Sequence, residues 1–297
     1  MPKKTLPGAG LLTAALLTLS LHPAAAQQSE AWRAMNQPVE PFRILGNLYY
    51  VGANSVAIYL ITTPEGHILI DGGFEETVPI IRSGIAELGF ELKDVKILLN
   101  SHAHIDHAAG LAALKKETGA KLFASKEDSP VLEKGGLGDD LFGDRFPFPA
   151  VEVDRRLEDG DTVELGGVTL TARVTAGHTR GCTSWVFDVE HEGKSHKAVS
   201  ICSLSALEGM QYRTQTPTYP GIADDFRRSF EVLESIPAEI FLASHATFFQ
   251  LGRKRQRLGE DGPNPFIDPA GYRRYISRAR ERFQKAVTEE EASARPL

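Results

Sequence analysis

Three imidazoles and one carboxylate fall within six positions of the run Ser101-His102-Ala103-His104-Ile105-Asp106-His107. Each of these side chains is a good ligand for a borderline metal such as zinc. Nine histidines occur in the chain and three of them stand here, which makes a chance cluster in a polar loop a poor account. The spacing divides the run in two. His102 and His104 lie two apart, so an extended backbone points both the same way and lets them clamp one ion. Asp106 and His107 begin the next helix, turn away from that pair, and can serve a second ion. Four ligands from one loop cannot close two tetrahedral sites, so others must arrive from elsewhere. The candidates are His178, in Ala176-Gly177-His178-Thr179-Arg180-Gly181, and His245, in Ala243-Ser244-His245-Ala246. A lone histidine at a strand end is more often structural. Here three strand ends carry them together, and loops set by a rigid scaffold are where sites are built. The glycines beside His178 let the backbone bend tightly. His22, His67, His191 and His196 are assigned no role.

The elements that must position these residues follow from pattern. Short β-branched and aromatic runs at 48–51, 56–61 and 67–70 read as strands separated by turns, the last ending at Asp71-Gly72-Gly73. Apolar residues at helical spacing predict a helix over 77–88. Residues 95–99 form a wholly apolar strand of the kind buried on both faces, with the histidine run at its carboxyl end. A helix over 108–118 closes at Gly119, and a strand follows over 121–124. Residues 129–150 are rich in Gly, Pro and Asp and read as a long surface loop bordering the site. The second half repeats the scheme. Strands are expected over 162–165, 168–174, 185–189 and 198–201, an amphipathic helix over 223–235, a strand over 240–242 and a charged helix over 269–286. Two β-rich halves, each covered by helices, imply an α/β fold. The architecture is a four-layer αββα sandwich with the site at the edge between the two sheets.

Composition sets bounds. At 297 residues, 42% hydrophobic and 24% charged, the chain is ordinary for a globular protein. Lys3 and Lys4, the apolar run Leu11–Leu21 and Ala24-Ala25-Ala26 read as a signal peptide over 1–26, cleaved near Ala26-Gln27. That leaves one domain over 27–297, exported to the periplasm and free of the membrane. The formal charge of −6 becomes −8 when Lys3 and Lys4 are removed, which excludes nucleic acid as a partner. The basic stretch at 253–257 reads as a solvated loop, and the tail over 288–297 as disordered. Cys182 and Cys202 lie on two expected strands flanking a turn. Export permits a disulfide, and pairing is favoured over two free buried thiols.

The run His102-Ala103-His104-Ile105-Asp106-His107 resembles the metal-binding signature of the metallo-β-lactamase superfamily. Gly177-His178-Thr179 and Ser244-His245 follow in that family's order, and Asp71-Gly72-Gly73 matches too. The likeness spans essentially the whole mature chain. Within the superfamily it is most similar to the subclass B3 enzymes, through Cys202-Ser203-Leu204-Ser205-Ala206, residues 217–220 and Asp224-Asp225-Phe226-Arg227-Arg228-Ser229-Phe230.

The resemblance implies two zinc ions, one on His102, His104 and His178 and the other on Asp106, His107 and His245, with Asp71 supporting the ligands from behind. Glyoxalase-II-like thioesterases and lactonases of the superfamily carry a metal-bridging Asp where this chain has Cys202-Ser203. Subclass B1 and B2 enzymes place a metal-binding Cys where Ser203 aligns. Cys202 is one residue away. Paired with Cys182 it is no ligand, and some B3 members carry a disulfide between these strands. Unpaired, it becomes a candidate thiolate. The implied activity is hydrolysis of the β-lactam amide of penicillins, cephalosporins and carbapenems by a monomer, using a metal-bound hydroxide, and hence antibiotic resistance. Asp106 orients the hydroxide, and Ser203 and Ser205 are candidates to bind the substrate carboxylate. Both serines are equally well explained by turn chemistry. The alternative is a hydrolase of the same fold acting on a lactone, thioester or phosphodiester.

Overall fold

Side-chain alternation in the first strands decides how the layers meet. In Tyr59-Leu60-Ile61, Ile68-Leu69-Ile70 and Ile97-Leu98-Leu99, the outer residues of each triplet join one apolar cluster and the middle residue joins another. A strand sends successive side chains to opposite faces, so a strand apolar at every position must be covered on both. The computed structural model describes residues 30–213 and 215–293. The chain divides into two units, Met1–Ala34 and Met35–Leu297. The expected leader over 1–26 lies outside the described residues, and both sheets belong to the second unit.

The first sheet has seven strands in chain order: β1 (Phe42–Leu45), β2 (Leu48–Tyr50), β3 (Tyr59–Thr63), β4 (Gly66–Ile70), β5 (Val95–Leu99), β6 (Lys121–Ser125) and β7 (Arg155–Leu157). The pairs from β1 to β4 are antiparallel, joined by short turns. The pairs from β4 to β7 are parallel. Parallel neighbours need crossovers. These are α1 (Val78–Glu87), then α2 (Ile105–Ala108) with α3 (Leu111–Thr118), then the long segment that begins with α4 (Ser129–Glu133). Ile81, Ile85, Leu111 and Leu114 of α1 and α3 cover the outer face of this sheet.

The second sheet runs β12-β11-β10-β9-β8, with β8 (Thr162–Leu165), β9 (Val168–Val174), β10 (Thr183–His191), β11 (Lys194–Ile201) and β12 (Ile240–Ala243). Only β11 and β12 pair in parallel, across the crossover helix α5 (Ile222–Glu234). That helix buries Ile222, Ala223, Phe226, Ser229, Phe230 and Leu233, one stripe at helical spacing. It packs on α7 (Pro269–Ser293), where the Phe226 and Phe283 rings stack at 4.9 Å. The order is helices, sheet, sheet, helices, the four-layer αββα sandwich expected from the sequence.

Several elements depart from expectation. The strand expected from Val56 starts at Tyr59, because Val56 bridges His245 and the Ala57 N–H donates to the Ser244 carbonyl across the sheet boundary. The basic stretch at 253–257 is no solvated loop: it falls largely in helix α6 (Leu251–Gln256). Lys254 is buried there over the rings of Phe241, Phe249 and Phe266, and pairs with Asp268 at 3.2 Å. Residues 288–293 are not disordered but continue α7, since the Glu290 carboxylate accepts the Tyr212 and Arg213 N–H groups at 2.8 and 3.2 Å. Residues 294–297 lie outside the described residues. β1 and β7, both short edge strands, carry too little pattern to be read from sequence.

Phe226 ties this packing to the second histidine loop, because a Cβ on Gly177 would stand 2.7 Å from its ring. Phe226→Ala is expected to lower the unfolding free energy by about 3–5 kcal/mol in urea titration. The same variant should bind zinc more weakly, because the backbone before His178 loses its support.

Candidate metal centre

Both sheets end at one edge, and the ligands sit where the strands stop. β4 runs into Asp71, β5 into Ser101-His102, β9 into the loop of His178, β11 into Cys202-Ser203 and β12 into Ser244-His245. Backbone hydrogen bonds lock these ends together. The Ala246 N–H donates to Ser55 O at 2.8 Å, and the Thr183 N–H donates to Ser101 O at 2.8 Å. The Tyr59 hydroxyl donates to Ala243 O at 2.7 Å.

The rings of His102, His104 and His178 form a triangle with all three centroid separations at 4.8 Å. Their ligand atoms gather within 4.8 Å of one another. All three are buried, and the Nε2 atoms of His102 and His104 have no hydrogen-bond partner. A second group lies beside them, with the His102 and His107 rings 4.3 Å apart. Asp106 Oδ2 stands 3.2 Å from His107 Nε2 and 3.4 Å from His245 Nε2, and those two nitrogens are 3.3 Å apart. Neighbouring ligands of a tetrahedral ion bound at about 2.0–2.1 Å stand about 3.3–3.4 Å apart, so this spacing fits a zinc-sized ion. Two ring nitrogens facing each other also need a proton or a cation between them. All six side chains expected from the sequence as ligands are therefore brought together, in two adjacent groups.

Ring tautomers follow from the partners behind the ligands. Asp71 Oδ2 accepts the Ser101 hydroxyl at 2.7 Å, which leaves Ser101 Oγ to accept from His102 Nδ1 at 3.0 Å. Asp71 Oδ2 also lies 3.1 Å from His107 Nδ1, and Ser205 O lies 3.0 Å from His178 Nδ1. With Nδ1 as the donor in each ring, Nε2 is the nitrogen left to face the site. Asp71 thus stands where the sequence placed it, behind both groups.

Burial keeps His102 and His178 neutral. It pushes His102 well below the usual imidazole range, helped by His107, and takes His178 down to about 3, helped by His104. His245 is lowered by burial and His107 to about 4. The second group holds a proton instead. Burial works against charge on His107, but the Asp106 carboxylate beside it and Asp71 behind it raise this imidazole to about 10. Burial would likewise raise Asp106, yet His107, His245 and His104 hold it far below the carboxylate range. An ion there would take the place of that proton.

Sequence reasoning missed Asp128. Its buried carboxylate accepts the Ala103 N–H at 3.0 Å, the Thr179 hydroxyl at 2.8 Å and the Gly181 N–H at 2.8 Å. It thereby sets the loop of His102 and His104 against the loop of His178. Burial raises it to about 6 against those three hydrogen bonds. Gly181 is required there, since a Cβ would collide with Ser125 Oγ and Asp128. Nothing in Lys126-Glu127-Asp128 signals the role. The segment over 129–150 does border the site, although it opens with helix α4 rather than loop. It carries Asp139 Oδ2 to 3.4 Å from His104 Nε2, without a hydrogen bond, and the Phe142 ring to 5.1 Å from the His104 ring.

Cys182 and Cys202 are disulfide-bonded with Cα atoms 5.7 Å apart, as the sequence favoured. Both sulfurs lie close to a His102 nitrogen but, once bonded to each other, offer no thiolate. Ser203 is buried and its hydroxyl accepts the Ser205 N–H at 3.2 Å, which is turn chemistry, while Ser205 is half-buried.

Two sheets that end on six clustered ligands define a metal-binding αββα protein. A family model described as Metallo-beta-lactamase superfamily matches residues 51–245, and the chain belongs to that superfamily. Among solved structures, the native FEZ-1 metallo-β-lactamase from Legionella gormanii is 45% identical with a TM-score of 0.84, over 86% of this chain and 98% of that one. BJP-1, a subclass B3 metallo-β-lactamase of Bradyrhizobium japonicum, is 37% identical with a TM-score of 0.83, over 89% of this chain and 100% of that one. A hydroxyacylglutathione hydrolase of Rhodopseudomonas palustris is 28% identical over 130 residues, 44% of this chain and 42% of that protein. The chain spans about half the length of the curated relatives it matches.

The titrations oppose each other across neutrality. An imidazole lowered in the fold contributes stability above its unfolded value near 6.5 that is lost as pH falls, and a raised one contributes stability below it that is lost as pH rises. Chelator-treated protein should therefore be most resistant to urea near pH 6.5. Stability should fall toward pH 4, where His178 and His245 resist protonation, and toward pH 10, where His107 gives up its proton. Unfolding midpoints across that range read the curve, and a flat profile would contradict it. Asp128→Ala should lower zinc affinity by about 10–100-fold in competition with a chromophoric chelator, although it touches no ion.

Proposed function

We propose that the chain is a zinc-dependent β-lactamase of the subclass B3 kind, holding two ions. It is exported to the periplasm and works there as a monomer on small β-lactam antibiotics, with residues 27–297 as one domain. Neither nucleic acid nor membrane is a partner; among the described residues no helix is long and apolar enough to cross a bilayer. The observation that carries the reading is the position after β11. A bridging carboxylate is absent there, Ser203 stands in its place, and the disulfide withholds Cys202. The trihistidine set is thus left without a fourth ligand from that strand.

Bound zinc supplies Lewis acidity, which polarises a carbonyl and makes water a nucleophile near neutral pH. The protein's part is placement and charge. His102, His104 and His178 would hold an ion through imidazole nitrogens alone, with no carboxylate to offset its charge. Asp106 stays ionised and is half-buried, and it would orient the attacking water as a hydrogen-bond acceptor. His107 and His245, with Asp106, would hold a second ion, whose positive charge would stabilise negative charge on a departing amide nitrogen. Ser203 shapes the turn that presents Ser205, and Ser205 hydrogen-bonds the substrate carboxylate. The partial likeness to hydroxyacylglutathione hydrolases favours a second reading, hydrolysis of a thioester, lactone or phosphodiester.

Purified protein with zinc should hydrolyse a carbapenem or a chromogenic cephalosporin, and a chelator should abolish turnover. Asp106→Ala should lower kcat by about 10²–10⁴-fold. Rapid opening of a homoserine lactone with no β-lactam turnover would sink the proposal.

A further inference from the structure

Next to the site lies a groove of about 450 Å³ that the chemistry above touches only at Ser205. Its size falls in the range of small-ligand clefts, about 300–1,000 Å³. One end is Ser205, whose carbonyl holds His178. Phe248 lines it as well, 5.1 Å from the ring of His245. The groove therefore touches residues that contact both metal groups.

The far wall is a stripe of α7. Arg274, Arg278 and Arg282 recur every four residues, so they stand on one face of the helix and all line the groove. Arg274 lies 3.8 Å from Asp268, which offsets part of its charge. Arg278 and Arg282 are exposed and make no ion pair among the described residues. In a chain of net charge −6, two unpaired guanidinium groups in one cleft are a local reversal of sign. Between them and the site lies Tyr275, only 8% exposed. Its hydroxyl is buried against the Leu204 backbone, so the ring alone faces the groove. A groove offering two free guanidinium groups suits a carboxylate.

We propose that this groove binds a second anionic group on the substrate, so that the enzyme favours β-lactams carrying an additional carboxylate on a substituent. The proposal rests on the β-lactamase reading and extends it to a substrate class. Ser205 marks the boundary: the carboxylate common to β-lactams stays at the metal edge, and the additional one reaches past Ser205 toward Arg278 and Arg282.

Two β-lactams that differ only by such a carboxylate test it on the zinc-loaded enzyme. The dianionic compound should show the lower KM, and added salt should erase the difference. Arg278→Gln with Arg282→Gln should raise KM for the dianion about tenfold, as expected for a lost charge-assisted hydrogen bond. kcat and the KM of the monoanion should not change. Arg278→Lys with Arg282→Lys should recover part of the effect. Calorimetric binding of both compounds to chelator-treated protein reads the groove without turnover, and the double glutamine variant should lose the preference there too. A preference that survives in binding while no β-lactam is hydrolysed would support the groove and sink the catalytic reading. Equal KM for the two compounds, or a variant that treats the dianion as the wild type does, would overturn the proposal.

Discussion

The buried carboxylate of Asp71 holds the two halves of the metal centre in one frame. It accepts the Ser101 N–H at 2.6 Å, the Ser101 hydroxyl at 2.7 Å and the Asn100 amide at 3.3 Å, and it orients His107. Through Ser101 it also sets the tautomer of His102. One side chain thus decides which nitrogen faces the site in one ligand of each group. Its backbone lies in the left-handed region at φ 68°, a conformation that aspartate tolerates better than most residues. The strand end that delivers it is fixed by parallel pairing of β4 with β5. Moving that register by one residue would turn the carboxylate to the other face.

Asp128 does for the second sheet what Asp71 does for the first. Its three donors come from the loops on either side of the trihistidine set, and Cys182 follows directly after Gly181 in the same turn. The disulfide then binds that turn to the end of β11. A carboxylate and a covalent bond constrain the loops that carry His102, His104 and His178, although neither belongs to the ligand set. Such restraint is what keeps three imidazoles at equal separations without strong hydrogen bonds among themselves.

The two groups differ in charge, and that difference gives them different chemistry. Three imidazoles would leave an ion its full positive charge. A carboxylate with two imidazoles would temper it. Burial keeps His102 and His178 uncharged in the first arrangement, because charged imidazole is costly away from water. Asp106 and Asp71 drive the second, because their charges outweigh the same burial at His107. The two environments meet where the His102 and His107 rings lie 4.3 Å apart.

The ligand set was legible because the chemistry is local. His102, His104, Asp106 and His107 share one loop, and their alternation with a helix start already sorts them into two directions. His178 and His245 could be named because each follows an apolar strand. The layer order was legible too, because strands apolar on both faces must be covered on both. Short edge strands were not legible, nor was the helical state of the basic stretch, where Lys254 is buried by three rings brought in from other parts of the chain. The role of Asp128 and the arginine groove were equally hidden. A hydrogen bond between residues 51 positions apart, such as that of Thr179 to Asp128, leaves no periodic trace. Composition and spacing determined which atoms could bind a metal. Only the folded chain, by bringing distant donors to one carboxylate, decided how those atoms are held.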